Sequence, residues 1–186
     1  MTENISNKQI VLGVSGSIAA YKACEVLRSL LHKRHQVRVV MTQAAQNLIT
    51  PTTFRALSGS PVATDLWIPE GQARLTHIRL AEWADILAVV PATANIIGKV
   101  ANGIADEILS TTWMACDCPR VVAPAMNDRM WNSVAVQQNV NTLRERTGVK
   151  LVDPVAGTLP SGKEAGTGHL APVPTIVDAI VDAAGS

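Results

Sequence analysis

Aromatic side chains are almost missing from this sequence: its 186 residues hold four Trp, one Tyr and one Phe. Hydrophobic residues still make up 47% of the chain, so the core has to be built from Val, Ile, Leu and Ala. Such a core suits parallel strands buried on both faces by helices. Cysteine is scarce as well. Cys24, Cys116 and Cys118 are an odd set with no secretory leader, which argues against a disulfide framework. Cys116 and Cys118 form a C-x-C without a second ligand cluster; zinc needs about four ligands, so the pair reads as buried thiols and no metal is expected. Charge of either sign is not in excess, 16 basic residues against 15 acidic. With no basic run, the electrostatic footprint of nucleic-acid binding is absent. No apolar stretch approaches the ~18 residues of a membrane-spanning helix. The polar start, Met1 to Lys8, has no signal-peptide core. A cytoplasmic protein follows, and its length fits one domain over residues 1–186.

What the sequence does contain is alternation. Apolar runs at Gln9–Val14, Gln36–Met41, Asp85–Val90 and Arg120–Ala123 read as core strands, with a shorter one at Lys150–Val152 and an edge strand at Pro61–Leu66. Between them lie helical patterns at 19–33, 44–48, 51–57, 77–84, 94–100, 104–114, 134–146 and 175–184. Residues 153–172, rich in Pro and Gly, are expected to form a mobile loop. Strand–helix alternation of this kind predicts an α/β fold, a Rossmann-like, flavodoxin-like doubly wound parallel sheet. Ligands then bind beyond the carboxyl ends of the strands.

Four segments occupy those positions. Gly13–Ala20 places glycines and serines between a strand and a helix, where backbone N–H groups can approach a phosphate; a plain tight turn prefers the same residues. Thr42 follows the second strand as either an N-cap or a ligand contact. Pro91–Asn95 puts Thr93 where it can cap a helix whose N-terminus faces an anion or a flavin edge. Pro124–Trp131 carries Asn127, whose amide offers both a donor and an acceptor to a carboxylate, or simply caps a helix. His77 stands in a fifth segment, Leu75–Leu80; a lone histidine is more often structural than catalytic.

Taken together, GVSGSIAAYK (13–22), M-T-x-x-A (41–45), H-I-x-L (77–80), PATAN (91–95) and PAMNxxMW (124–131) resemble the homo-oligomeric flavin-containing cysteine decarboxylases. That family includes the phosphopantothenoylcysteine decarboxylases of coenzyme A biosynthesis and the lantibiotic-type peptidyl-cysteine decarboxylases. The resemblance spans about residues 8–182. It implies FMN held by Gly16, Ser17 and Ile18, with Thr42, Thr93, Ala94 and Asn95 completing the contacts and Ala125 and Met126 lining the flavin pocket. It implies His77 as catalytic base, Asn127 as ligand of the substrate carboxylate or amide, Lys22 near the substrate, and a flap at about 157–170. The flavin would oxidise the carbon bearing sulfur, giving a C=S group that accepts electrons as CO2 leaves. It further implies a trimer or dodecamer with FMN at subunit contacts. Trp113, Met130 and Trp131 are candidates for that interface, with core packing an equal alternative.

One departure bears on the product. Where coenzyme A enzymes of this family carry a flap cysteine, this sequence has Ser161. A hydroxyl is a far weaker acid than a thiol, so the step from ene-thiol to saturated product is expected to be impaired. Three activities follow: decarboxylation of 4′-phosphopantothenoylcysteine to 4′-phosphopantetheine, oxidative decarboxylation of a peptide's C-terminal cysteine to an aminoenethiol, or FMN binding without turnover in a regulatory protein.

Overall fold

The computed structural model describes residues 7–67, 76–158 and 164–185. Six parallel strands form the main sheet: β1 (Gln9–Val14), β2 (Gln36–Met41), β3 (Val62–Ala63), β4 (Ile86–Ala92), β5 (Arg120–Pro124) and β6 (Val149–Leu151). Their order across the sheet is β3-β2-β1-β4-β5-β6. Successive strands therefore step outward one way from β1 to β3 and the other way from β4 to β6. The reversal opens a crevice between β1 and β4, although the two are paired in register from Ile10–Ile86 to Gly13–Val89.

The aliphatic composition explains the layers. Every residue of β4 is buried, as is β1 from Ile10 to Val14. Side chains alternate between faces. Ile10, Leu12 and Val14 enter one core with Val26, Leu27 and Leu30 of α1 (Lys22–His32), Phe54 of α3 (Pro51–Ser58), and Ile176 and Ile180 of α9 (Val173–Gly185). Val11, Leu87 and Val89 enter the opposite core with Leu80 of α4 (Thr76–Trp83), Ile97 of α5 (Ala94–Ala101), Leu109 of α6 (Ile108–Ala115) and Val140 of α8 (Val134–Arg144). Cutting a fully buried leucine such as Leu87 to Ala would cost about 2–5 kcal/mol. Short polar side chains start the helices: Thr42, Thr93 and Ser133 each accept an N–H bond as N-cap, and Glu107 with Ser110 forms a capping box.

Several boundaries differ from expectation. The helix expected from Ala19 is a 3-10 turn over Ile18–Tyr21 followed by α1. Strand β4 does not end before Pro91. It runs through a cis Val90–Pro91 bond to Ala92, which pairs with Pro124 across a register irregularity, and the Ala125 N–H donates to the Ala92 carbonyl at 3.0 Å. The edge strand narrows to two residues. The largest correction concerns 153–172. Val155–Thr158 (β7) and Glu164–His169 (β8) pair as an antiparallel hairpin. Its glycines looked like loop punctuation, but they mark close backbone approaches within strands. Trp113 and Trp131 are core residues, 2% and 7% exposed, which removes them as interface candidates; Met130 is exposed. No described helix is long and apolar enough to cross a membrane.

His35, at the α1–β2 junction, is buried; its Nδ1 accepts the Lys8 N–H at 3.3 Å and its Nε2 has no partner among the described residues. Burial, then the charges of Lys33 and Lys8, hold the imidazole below its ordinary 6.5. The unfolded chain therefore takes up this proton first as pH falls, and stability is lost downward from about pH 6.5. We expect the urea midpoint to drop between pH 7.5 and 5.5, and His35→Asn to flatten that drop.

Candidate functional site at the strand carboxyl ends

Three post-strand segments converge on the crevice between β1 and β4. Ser15, 1% exposed, sits where they meet. Its N–H and Oγ both donate to the Pro91 carbonyl, at 3.3 and 2.7 Å, and Oγ accepts the Thr93 N–H at 2.9 Å. The Gly13–Ala20 turn and the Pro91–Asn95 turn are thereby locked together. Beyond Ser15 the chain turns sharply, with Ser17 Oγ accepting the Ala19 N–H at 3.3 Å. No hydrogen bond among the described residues takes up the N–H of Gly16 or Ile18. A Cβ on Gly16 would lie 2.5 Å from that of Ala44, so only glycine lets this turn sit against the segment after β2.

The opposite wall comes from the segment after β5. Asn127 caps α7 (Asp128–Trp131): its Oδ1 accepts the Arg129 N–H at 3.0 Å, which leaves its NH2 to donate outward. The hairpin closes against this segment. The Met126 N–H donates to the Gly168 carbonyl at 2.9 Å, and a Cβ on Gly168 would lie 2.5 Å from the Met126 oxygen. Between the walls lies a cavity of about 590 Å³, in the size range of small-molecule sites (~300–1,000 Å³).

Of the residues singled out from sequence, Gly16, Ser17, Ile18, Lys22, Thr93, Ala125, Met126 and Asn127 line this cavity together. Thr42, Ala94 and Asn95 do not: Thr42 Oγ1 caps the short helix α2 (Gln43–Gln46), and Ala94 and Asn95 form the first turn of α5. His77 is also elsewhere. It belongs to the first turn of α4, which packs with α6 on the far core, and its Nδ1 is enclosed without a partner among the described residues. Ser161 lies outside the described residues. Sequence reasoning missed Ser15, although it stands within the quoted motif, and it missed Tyr21 and Asp128 on the cavity wall; Met130, expected at an interface, lines the cavity as well. Gly166, Gly168 and His169 line the cavity from β8, within the expected flap range.

A family model described as Flavoprotein matches residues 1–185. The chain belongs to the flavoprotein family. Among curated relatives, this flavoprotein is 42% identical over 178 residues to the coenzyme A biosynthesis bifunctional protein CoaBC of Escherichia coli K12, covering 96% of this chain and 43% of that protein. It is likewise 42% identical over 168 residues to CoaBC of Vibrio parahaemolyticus, covering 90% of this chain and 42% of that one. It thus spans about two-fifths of the length of these relatives. Among solved structures, the FMN-dependent cysteine decarboxylase SpaF superposes with a TM-score of 0.83 at 33% identity, over 98% of this chain and 99% of that one. A PPC decarboxylase variant complexed with pantothenoylaminoethenethiol gives a TM-score of 0.83 at 29% identity, over 97% and 100%. Both superpositions cover the whole of the flavoprotein's parallel sheet at a TM-score of 0.83.

Gly168→Ala forces the hairpin off the Met126 segment. The thermal midpoint should fall by an amount equivalent to about 1–3 kcal/mol, and hydrogen exchange should show the Met126 amide losing protection.

Proposed function

We propose that this chain is an FMN-dependent cysteine decarboxylase that converts 4′-phosphopantothenoylcysteine to 4′-phosphopantetheine in coenzyme A biosynthesis. Its site of action is the cytoplasm. The observation that most supports this reading is the two-sided chemistry of the crevice. Uncommitted N–H groups of Gly16 and Ile18 face one side, and the Asn127 amide stands on the other. That donor set fits a flavin mononucleotide: backbone N–H groups at a turn suit its phosphate, and Ala125, Met126 and Met130 offer an apolar wall for its ring. The relatives CoaBC and SpaF point the same way.

In this reading Gly16, Ser17 and Ile18 hold the phosphate beside Thr93, while Thr42, Ala94 and Asn95, off the cavity wall, start the helices that position these turns. When bound, FMN would supply the two-electron oxidation that gives the departing carboxylate's electrons an acceptor, and in its reduced form would return the two electrons to the ene-thiol to leave the saturated product. The chain's own side chains do the rest. Asn127 donates its amide hydrogens to the substrate carboxylate and fixes the carbon–carbon bond that breaks. Lys22, at the cavity edge, pairs with substrate negative charge. His77 takes the thiol proton, a task suited to imidazole near neutral pH. Because His77 lies outside its own chain's cavity, a neighbouring subunit supplies it, and the working unit is a trimer or a dodecamer built from trimers. Exposed Ile18, Tyr21 and Met130 at the cavity mouth suit such a contact.

The second reading, oxidative decarboxylation of a peptide's C-terminal cysteine, is favoured by Ser161 alone. The two are separated by mass. The purified yellow protein is incubated with 4′-phosphopantothenoylcysteine and with a cysteine-ended peptide. Loss of CO2 from the former supports the first reading, and loss of CO2 plus two hydrogens from the peptide supports the second. No mass change with either would contradict both. His77→Asn should keep the colour and lose about 100-fold or more in rate; full activity would remove His77 from the mechanism. Ser161→Cys should raise the share of saturated product.

A further inference from the structure

Two thiols stand at the end of β5 away from Asn127, and neither lines the crevice. Cys116 closes α6 as its C-cap, and Cys118 stands two residues before β5 begins at Arg120. Cys116 is 1% exposed, in the core that also holds Trp113; Cys118 packs against that core and is half-buried. The two side chains meet, the Cys116 S–H donating to the Cys118 sulfur. A cation is fixed beside them. Arg120 Nη2 donates to the Trp113 carbonyl at 3.3 Å and to the Cys116 carbonyl, and its guanidinium lies 5.3 Å from the centroid of the Trp113 ring. No group of three His, Cys, Asp or Glu side chains among the described residues is placed to hold a metal ion, so the pair is not part of a zinc set.

We propose that Cys118 and Cys116 form a reversible two-electron oxidation site that takes hydrogen peroxide as its oxidant, with Cys118 as the attacking sulfur and Cys116 as the resolving one. Reactive cysteines sit in electropositive, partly exposed surroundings with a second thiol in reach. Cys118 has all three. The hydrogen bond from Cys116 lowers its thiol and the Arg120 charge adds to this, against burial and Asp85. The same hydrogen bond, then burial, push the Cys116 thiol up, and Asp117 adds to this. Cys24, the third thiol of the chain, is pushed up by burial and by Glu25. In the first step the Cys118 thiolate attacks one peroxide oxygen and the O–O bond breaks. The other oxygen leaves as hydroxide, which the proton lost from Cys118 turns into water, and Cys118 becomes a sulfenic acid. The Cys116 sulfur then attacks the Cys118 sulfur. The S–S bond forms, the S–O bond breaks, and the hydroxyl departs as water with the Cys116 proton. The protein loses two hydrogens and the peroxide is reduced to water. A small-molecule thiol restores the pair by exchange and is itself oxidised to its disulfide. None of this depends on the decarboxylase reading.

The test treats the FMN-loaded wild-type protein, free of substrate, with hydrogen peroxide. Remaining thiols are alkylated, and the tryptic peptide over residues 100–120, which holds Cys116 and Cys118 but not Cys24, is weighed. The peptide should lose two hydrogens and accept no alkyl group, and dithiothreitol should restore both thiols. Cys118 should be consumed about tenfold or more faster than Cys24. In Cys116→Ala the reaction should stop at a Cys118 sulfenic acid that dimedone captures. In Cys118→Ser the Cys116 thiol should survive the same treatment. A wild-type peptide that keeps both thiols while Cys24 is oxidised overturns the site. So does a sulfenic acid that persists at Cys118 in wild type, or a Cys116 that oxidises at an unchanged rate in Cys118→Ser. The wild-type map needs no variant, so a substitution that fails to fold leaves the proposal open to refutation.

Discussion

The site depends on one buried hydroxyl. Ser15 lies at the point where the strand order reverses, and there the chain on either side of the crevice diverges. Its N–H and Oγ hold the Pro91 carbonyl, and its Oγ takes the Thr93 N–H. Those bonds set the distance between the turn that carries Gly16 and Ile18 and the start of α5. In a buried setting each such bond contributes about 1 kcal/mol when made, and leaving its partners unpaired costs about 1–3 kcal/mol. Without the hydroxyl the Pro91 carbonyl keeps the Ser15 N–H, whereas the Thr93 N–H has no other acceptor among the described residues. The shape of the crevice is therefore specified by a side chain and not by the sheet alone.

A second constraint fixes the far wall. The hairpin β7–β8 reaches the Asn127 segment through the Met126–Gly168 backbone bond, and glycines at 166 and 168 allow contacts that a Cβ would block. The hairpin thus forms one wall of the cavity, and its backbone bond ties that wall to the residue just before Asn127.

Much of this was legible in the amino-acid sequence, for physical reasons that can be named. Fully buried parallel strands are continuous aliphatic runs, so β1, β2, β4 and β5 stood out. Strand ends carry the ligand-binding turns, so Gly16 to Ile18, Thr93 and Ala125 to Asn127 could be grouped before their distances were known. The hairpin could not be read because glycine signals both a loop and a tight strand contact, and only the partner, here Met126 or Asp128, decides which. Ser15 was hidden by its own motif, one small polar residue among several. His77 was the most instructive case. Its motif names a chemistry, but the fold of one chain puts it on the far core and off the wall of the crevice. Trp113 and Trp131 went the other way: large aromatics that suggested an interface are used to fill the core.

The central claim is that the Ser15-braced crevice holds FMN. It is tested most directly by titrating flavin-free protein with FMN and following flavin fluorescence, for wild type and Ser15→Ala. Wild type should bind one FMN per chain, and Ser15→Ala should bind roughly tenfold more weakly or worse while remaining folded. A wild-type protein that takes up no FMN, or a Ser15→Ala variant that binds it as tightly as wild type, would contradict the account.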